Sequence, residues 1–410
     1  MDGGAGARPR PAERFAALDG LRGAFLLLML LSHLSFQGGL ALQLLHPRTV
    51  SFVDAAFGFV FVSGVVAGLV YGRVMIRDGF RAASNRLLRR ALLLYLYAVG
   101  VMLALIAAAQ LIPAAREWWS VPLGPLVKPD ARALAAAVLL LQHVDYADIL
   151  VQYLVYLLLA PLVLWACLAG RTRLALAASG LLWLGVQLGL SDPVVNGLET
   201  LLKALGPDLY LPQMFNLAAW QFLFVCGLVV GARTARHGGD PWRSAVRPDR
   251  TAFLWLSLAV LAAIAAIRLL DQWDATHALV DPLLGLLDPV AGKTRLGLLQ
   301  LVNVAAIAWA LAWLAIAAPG ARSPFPRAAG GLVHAVLGWS FLQRLGRASL
   351  RVYVWHVALV YAVLALDQAL GPFPQPVRCL IAVAALALLA VPTLRLPRHS
   401  RRTPALLPAE

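Results

Sequence analysis

The chain has 410 residues, of which 61% are hydrophobic, against roughly 45–50% in a soluble domain. Charged residues make up 13%, about half of their usual share. Because the apolar residues occur in long blocks that a soluble protein of this size could not bury, a soluble enzyme and a disordered chain are both excluded. The sequence therefore predicts a multi-pass membrane protein, and its net charge of +15 concerns membrane orientation rather than nucleic-acid binding.

Ten apolar stretches approach the roughly 20 residues needed to cross a bilayer core as a helix. An eleventh, 133–142, has only about half that length. The two ends, 1–14 and 396–410, are expected to be disordered tails, which leaves 15–395 as the membrane domain. The ten predicted spans are 16–36, 53–72, 91–110, 149–169, 174–190, 214–232, 251–270, 297–318, 352–367 and 378–394.

The distribution of Lys and Arg predicts how the chain is oriented. With ten spans and a cytoplasmic N-terminus, inner segments carry 25 of these residues and outer segments carry 7. Basic segments stay inside, so both termini are expected in the cytoplasm. If 133–142 crossed the membrane, this bias would largely cancel, so that segment is predicted to be re-entrant or interfacial. A cleaved signal peptide over 1–42 is disfavoured, because Asp19 and Arg22 lie beside its apolar run and no clean cleavage site follows.

The first predicted span carries ionisable residues, which are costly in a bilayer and often functional. Asp19 and Arg22 are three residues apart and can pair on one helix face. Arg22 and His33 are eleven apart, which is within about 20° of three full turns and about 16 Å along the axis. This face suits a ligand with an anionic head on the inner side and a reactive end on the outer side. Equally, Arg22 could snorkel to headgroups while His33 makes an interhelical hydrogen bond.

Further candidates follow in the next segments. Asp54 opens the second span at the depth of His33, where it could orient the histidine or, as we favour, cap the helix. The segment 73–90, expected as a cytoplasmic loop, carries Arg86, Arg89 and Arg90. These arginines could hold phosphates of a co-substrate or anchor the chain to anionic lipid.

Near the C-terminus, Ser349, Tyr353 and His356 share one face of the ninth span. We expect His356 to lie about two turns from the cytoplasmic side.

The predicted outer side is acidic and aromatic, and includes Asp145, Asp148 and Tyr153. Such a surface could bind a carbohydrate, although a solvated face with interfacial aromatic residues is the plainer alternative. No metal-ligand pattern, phosphate-binding loop or serine elbow appears, so no metal site is predicted.

Four short motifs resemble those of the integral-membrane acyltransferase family three. They are LDGLRG (18–23) with Arg22 and His33 separated by ten residues, FVFVSG (59–64), NRLLRR (85–90) and SLRVYVWH (349–356). Within that group, residues 54–73, 147–164 and 215–231 resemble the OpgC family, which is associated with succinylation of osmoregulated periplasmic glucans. One position departs: Phe57 stands where an acidic residue is expected in close OpgC relatives.

The resemblance implies an all-α membrane enzyme in the bacterial inner membrane. Such an enzyme moves an acyl group, expected to be succinyl, from cytoplasmic acyl-coenzyme A to a hydroxyl of a periplasmic or envelope glycan. Acyl-coenzyme A is then a co-substrate, with no permanently bound cofactor and no nucleic-acid partner. The resemblance implies that His33 is the catalytic histidine and Arg22 its motif partner, with Arg89 and Arg90 in the basic loop and His356 in the late motif.

The candidate site residues fall into three groups. The catalytic candidates are His33, Asp54 and His356; the donor-binding candidates are Arg22, Arg86, Arg89 and Arg90; and the acceptor-binding candidates are Asp145, Asp148 and Tyr153. Two other classes stay open. One is a transporter or flippase with Arg22, His33 and His356 along a polar pathway, although no inverted repeat supports it. The other is an inactive relative that acts as a scaffold.

Overall fold

The computed structural model describes residues 11–394, apart from 207, 213, 239–243, 250, 273–275, 277–279, 286 and 288–291. Within these ranges the regular structure is helical throughout. The first helix begins at Pro11, inside the predicted N-terminal tail. The remainder of that tail, 1–10, and the predicted tail 396–410 lie outside the described residues.

We number the described α-helices in chain order. They are α1 (Pro11–His33), α2 (Ala55–Leu111), α3 (Ala115–Trp118), α4 (Ser120–Leu123), α5 (Ala131–Val138), α6 (Asp148–Leu168), α7 (Thr172–Gln187), α8 (Asp192–Leu205), α9 (Leu217–His237), α10 (Ala252–Asp271), α11 (Leu298–Ile316), α12 (Pro324–Gly338), α13 (Ser340–Arg347), α14 (Ser349–Leu370) and α15 (Gln375–Leu388).

Helix α2 is a helical hairpin. Its 57 residues would extend roughly 85 Å if straight, but the helix breaks at Gly79, where φ is 83°. Glycine adopts this positive φ without a steric penalty. Beyond the break, Arg90 returns to electrostatic contact with Tyr71, so the two arms, 55–78 and 80–111, run antiparallel.

The described part of the chain is a multi-pass membrane bundle. Eight of its stretches are long and apolar enough to cross a bilayer, and α7 with α8 forms a further bent pair at 68°. The ten predicted spans correspond to these eight stretches, with the two arms of α2 taken separately, and to the bent pair, whose geometry is that of a broken span or a re-entrant loop. Helix α5 has eight residues, about 12 Å, and is too short to cross, as expected for 133–142.

Two regions expected to be loops are helical instead. The basic segment 73–90 continues both arms of α2, interrupted only at Gly79. The segment 319–351 contains α12 and α13. These helices are too short or too polar to count as spans. Helix α13 buries Leu342 and Leu345, as an amphipathic helix does, and α12 contacts α1 through the carbonyl of Leu337.

Close backbone contacts hold the central helices together. Gly64 and Gly68 on the first arm of α2 face backbone carbonyls of α9, and Gly227 and Gly231 on α9 face backbone carbonyls of α2. Small residues at such positions let two membrane helices approach closely. The first arm of α2 therefore has a fixed position against α9. The same arm contacts α1, α6 and α14, which carry the site described below.

A Gly68→Ala substitution should destabilise the bundle, because the new methyl group would meet the carbonyl of Leu228. Overpacking of this kind costs about 1–3 kcal/mol, which should appear as a lower unfolding temperature of the detergent-solubilised protein. Gly100→Ala is the matched control, since a Cβ there has open space. An equal loss of stability in both variants would contradict the proposed packing.

Candidate active site

Helices α1 and α14 lie side by side and run in the same direction. Arg22 donates a hydrogen bond to the hydroxyl of Ser349, and eleven residues later His33 Nδ1 lies 3.0 Å from His356 Nε2. Arg22 and His33 therefore share the α1 face that contacts α14, as their spacing predicts. We refer to the two ends of the bundle as the Arg22 end and the His33 end.

The position of His356 beside His33 was not predicted. The sequence predicts only that His356 lies about two turns from the cytoplasmic side, and it offers Asp54, for which a capping role is favoured, as the residue that could orient His33. In the structure, α1 ends at His33, whereas α14 starts level with Arg22 and continues well past His356. The two histidines consequently meet two turns into α14.

The hydrogen bonds assign the proton positions of this histidine pair. His356 Nδ1 lies 2.6 Å from the carbonyl oxygen of Tyr353. A carbonyl can only accept, so Nδ1 of His356 carries the proton and its Nε2 is an acceptor. His33 Nδ1 must then donate to it, and the lone pair of His33 Nε2 is left available to accept a proton. The pair has the arrangement of a general base with an orienting partner.

Tyr146 covers His33 and has an unusual backbone. The two ring centroids are 4.6 Å apart, and Tyr146 has φ 71°, which is uncommon for a residue with a side chain. Its carbonyl accepts a 2.7 Å hydrogen bond from the hydroxyl of Tyr353, and the preceding N–H, of Asp145, donates to Pro122. Strained residues held by their surroundings cluster at functional sites, so Tyr146 joins the candidate residues.

Two carboxylates lie at the His33 end, beside Tyr146. Asp145 is solvent-accessible, but the surrounding protein and the nearby Asp148 raise its pKa to about 6. Asp148 opens α6, and its carboxylate lies 3.8 Å from His143 Nδ1. The Asp148 side chain is only 17% exposed, so Asp145 is the carboxylate that is open to solvent. Both residues lie within two positions of Tyr146, which packs on His33, so they are candidates for binding a polar acceptor.

Asp54 is the N-cap of α2, which confirms the capping interpretation. Its carboxylate accepts the N–H of Ala56 at 2.9 Å and pairs with Lys293 Nζ at 2.7 Å. The ring nitrogen hydrogen-bonded to His33 belongs to His356 instead. Phe57, one turn further along, is buried against Trp220 and fills an apolar site where a carboxylate would lack solvent.

The Arg22 end gathers positive charge. Arg22 lies within electrostatic range of Asp19 on its own helix, of Arg90 on the second arm of α2, and of Tyr153. Its Nε is buried and has no hydrogen-bond partner. Two neighbouring guanidinium groups repel each other unless an anion lies between them, and this geometry suits phosphate.

Arg86 pairs with Asp78 at 3.3 Å, next to the break in α2. Like Arg22 and Arg90, it lies within electrostatic range of Tyr71, whereas Arg89 is exposed on the surface. The structure thus brings together Arg22, Arg86 and Arg90 from the predicted set of four.

Tyr153 lies deeper than the sequence suggests. It is five residues beyond Asp148 on α6, about 7 Å along the axis, and lines a crevice with Ser63 and Gln152. Gln152 is not among the residues that the sequence motifs point to. A lone glutamine in the apolar run ILVQYLVYL (149–157) is the signal that could have found it.

Fold and site together define a class, a multi-pass helical membrane protein with a buried histidine pair and a separate cluster of arginines. The family model of the OpgC protein matches residues 14–401, nearly the whole chain. The protein therefore belongs to the OpgC family, as its motifs predict. No curated protein and no solved structure matches the chain.

The assigned tautomers can be tested by NMR of protein labelled with ¹⁵N-histidine. His33 should carry its proton on Nδ1, and His356→Phe should shift it toward Nε2, because the acceptor of the Nδ1 proton is removed. His334→Phe is the control, since His334 contacts the Ala315 carbonyl and not the site. Protonation of His33 on Nε2 in the unmodified protein would contradict the assignment.

Proposed function

We propose that this protein is a membrane-embedded O-acyltransferase. It would move an acyl group, expected to be succinyl, from cytoplasmic acyl-coenzyme A to a hydroxyl of a periplasmic or envelope glycan. The observation that carries the proposal is the His33–His356 pair, with Nε2 of His33 free to accept a proton, in a chain that belongs to the OpgC family. The Arg22 end then faces the cytoplasm and the His33 end the periplasm of the bacterial inner membrane.

The donor binds at the Arg22 end. Arg22 and Arg90 contact the phosphate groups of acyl-coenzyme A, and the unpartnered Nε of Arg22 gains an acceptor there. The thioester then lies near His33, about 16 Å along α1 from Arg22, so the linear arm of coenzyme A bridges the two ends.

The chemistry needs one base and no redox step. Nε2 of His33 takes the proton of the sugar hydroxyl as its oxygen attacks the thioester carbonyl. The C–O ester bond forms, the C–S bond breaks, and the proton passes from His33 to the departing thiolate, giving free coenzyme A. His356 stays neutral and accepts the Nδ1 hydrogen bond throughout, which keeps Nε2 directed at the substrate.

The acceptor binds at the opposite end. Asp145 and Asp148 accept hydrogen bonds from sugar hydroxyls, and the Tyr146 ring, stacked on His33, offers an edge or face to the sugar ring. The glycan hydroxyl and the thioester thus approach His33 from opposite sides, and neither substrate has to cross the membrane.

The central test is mass spectrometry of envelope glycans from a deletion strain complemented with wild-type, His33→Ala or Asp54→Asn protein. An ester should appear with the wild type, and its mass increment should identify the acyl group. Loss of a general base costs about 10²- to 10⁴-fold in rate, so His33→Ala should remove the ester while membrane insertion is unchanged. Asp54→Asn should have a smaller effect, because Asp54 caps α2 and pairs with Lys293.

Wild-type ester levels in His33→Ala would refute the mechanism. Identical, ester-free glycans in all strains, together with movement of a solute that needs the protein, would favour the transporter alternative.

Acceptor binding should depend on pH through Asp145. The pKa of Asp145 is raised to about 6, so below that pH the group is protonated and is a weaker acceptor of sugar hydroxyls. Affinity for unesterified glycan from the deletion strain should therefore rise between about pH 5 and pH 7. Binding is measured in a His33→Ala background, so that His33 does not contribute.

Asp145→Asn should flatten this rise, because the neighbouring pair of His143 and Asp148 is unchanged in both proteins. An unchanged pH profile in Asp145→Asn would remove Asp145 from the acceptor site.

A further inference from the structure

A crevice between α2 and α6 contains buried polar groups without partners. Ser63 and Gln152 are 2% and 1% exposed, and neither the Ser63 hydroxyl nor either polar atom of the Gln152 amide makes a hydrogen bond. Buried polar groups are almost always satisfied, and leaving them unpaired is costly. Two such residues facing the same space indicate a missing polar partner.

The residues around the crevice supply that partner only in part. The hydroxyl of Tyr156 lies beside the Gln152 amide and donates its proton to the Leu217 carbonyl at 3.0 Å, so it can only accept from Nε2 of Gln152. It therefore leaves Oε1 of Gln152 without a donor. The remaining wall is formed by Phe59, Val60, Ile149 and Tyr153.

Water does not fill this space either. The crevice is too narrow to admit a water molecule, and a buried water needs both room and several polar partners. The side chains that line the crevice must move apart before a ligand can enter. The Gln152 amide and the Ser63 hydroxyl gain hydrogen-bond partners only when that ligand is bound.

The crevice lies between the two ends of the site. Phe59 packs against Tyr353 with ring centroids 6.1 Å apart, and the Tyr353 carbonyl bonds His356. At the other end, Tyr153 is in electrostatic contact with Arg22. A ligand that reaches from Arg22 to His33 would pass Ser63 and Gln152.

We propose that Gln152 and Ser63 bind the amide groups of the pantetheine arm of acyl-coenzyme A. This inference rests on the proposed function and names the site of its donor arm. An amide presents one N–H and one C=O. Oε1 of Gln152 accepts the N–H, while Nε2 of Gln152 and the Ser63 hydroxyl donate to carbonyls. The aromatic and aliphatic walls contact the methylene groups between the amides.

The test compares two probes, only one of which contains the arm. Coenzyme A contains it, and adenosine 3′,5′-bisphosphate, which also has one phosphate fewer, does not. Binding of both to the full-length protein in nanodiscs is measured by calorimetry. Gln152→Met and Ser63→Ala should each weaken coenzyme A binding by about 3- to 10-fold, the worth of one or two hydrogen bonds, and leave bisphosphate binding unchanged.

Thermal stability provides an independent readout. Because the Gln152 amide is unpaired, Gln152→Met should not lower the unfolding temperature. Gln221→Met is the matched control: Gln221 is buried and bonds Ser179 through both amide atoms, at 2.6 Å and 2.8 Å. That variant should be less stable but bind coenzyme A normally. Ser257→Ala, which removes a buried hydroxyl bonded to Phe253, is the corresponding control for Ser63→Ala.

The outcomes separate the two proposals. If the wild type binds coenzyme A and neither Gln152→Met nor Ser63→Ala weakens it, or if they weaken both probes equally, the arm site is wrong and the acyltransferase proposal stands. If the wild type binds neither probe and forms no ester, both proposals fail.

Discussion

The alignment of α1 with α14 is the constraint on which the rest of the site depends. Buried guanidinium and imidazole groups are tolerated in a membrane bundle only when partners are at hand, and α14 supplies a partner for each. Three glycines help to set the position of α1 along its axis. Gly20 and Gly23 contact backbone carbonyls of α12 and α13, and Gly346 on α13 contacts the backbone carbonyl of Asp19. Because α13 leads directly into α14, these contacts determine where His33 meets His356.

The sequence predicts much of this site but not its central pair. Helical periodicity places Arg22 and His33 on one face and Ser349 and His356 on another, and both faces are observed in contact. The meeting of the histidines depends on where α1 ends and on how α12 and α13 pack. The segment that contains α12 and α13 has no apolar stretch long enough to cross a membrane, so its composition alone predicts a loop. The role of Asp54, by contrast, is predicted correctly: the sequence favours a helix cap, and Asp54 is the N-cap of α2.

Tyr146 and Gln152 show two features of the site that could not be predicted from the sequence alone. The positive φ of Tyr146 is a consequence of tertiary contacts, through the Tyr353 hydroxyl and the N–H of Asp145, and nothing in the local sequence signals it. Gln152 is different, because a glutamine within an apolar span is visible in the sequence. Only the structure reveals that the amide lacks a partner, and this absence is what distinguishes a ligand contact from an interhelical hydrogen bond.

The distribution of charged and polar residues along the bundle favours an acyltransferase over a transporter. Arginines gather at one end and unpaired neutral groups line the middle. The other end carries Asp145 and Asp148, with Lys293 and Arg48 in electrostatic range of His33, so each zone matches a different part of two substrates. A transporter would need a route that opens past His33. Here the imidazole is held by His356 on one side and covered by Tyr146 on the other, and both partners are themselves bonded to Tyr353. A histidine fixed in this way is suited to receiving a proton in place, and only the acyl group has to move past it.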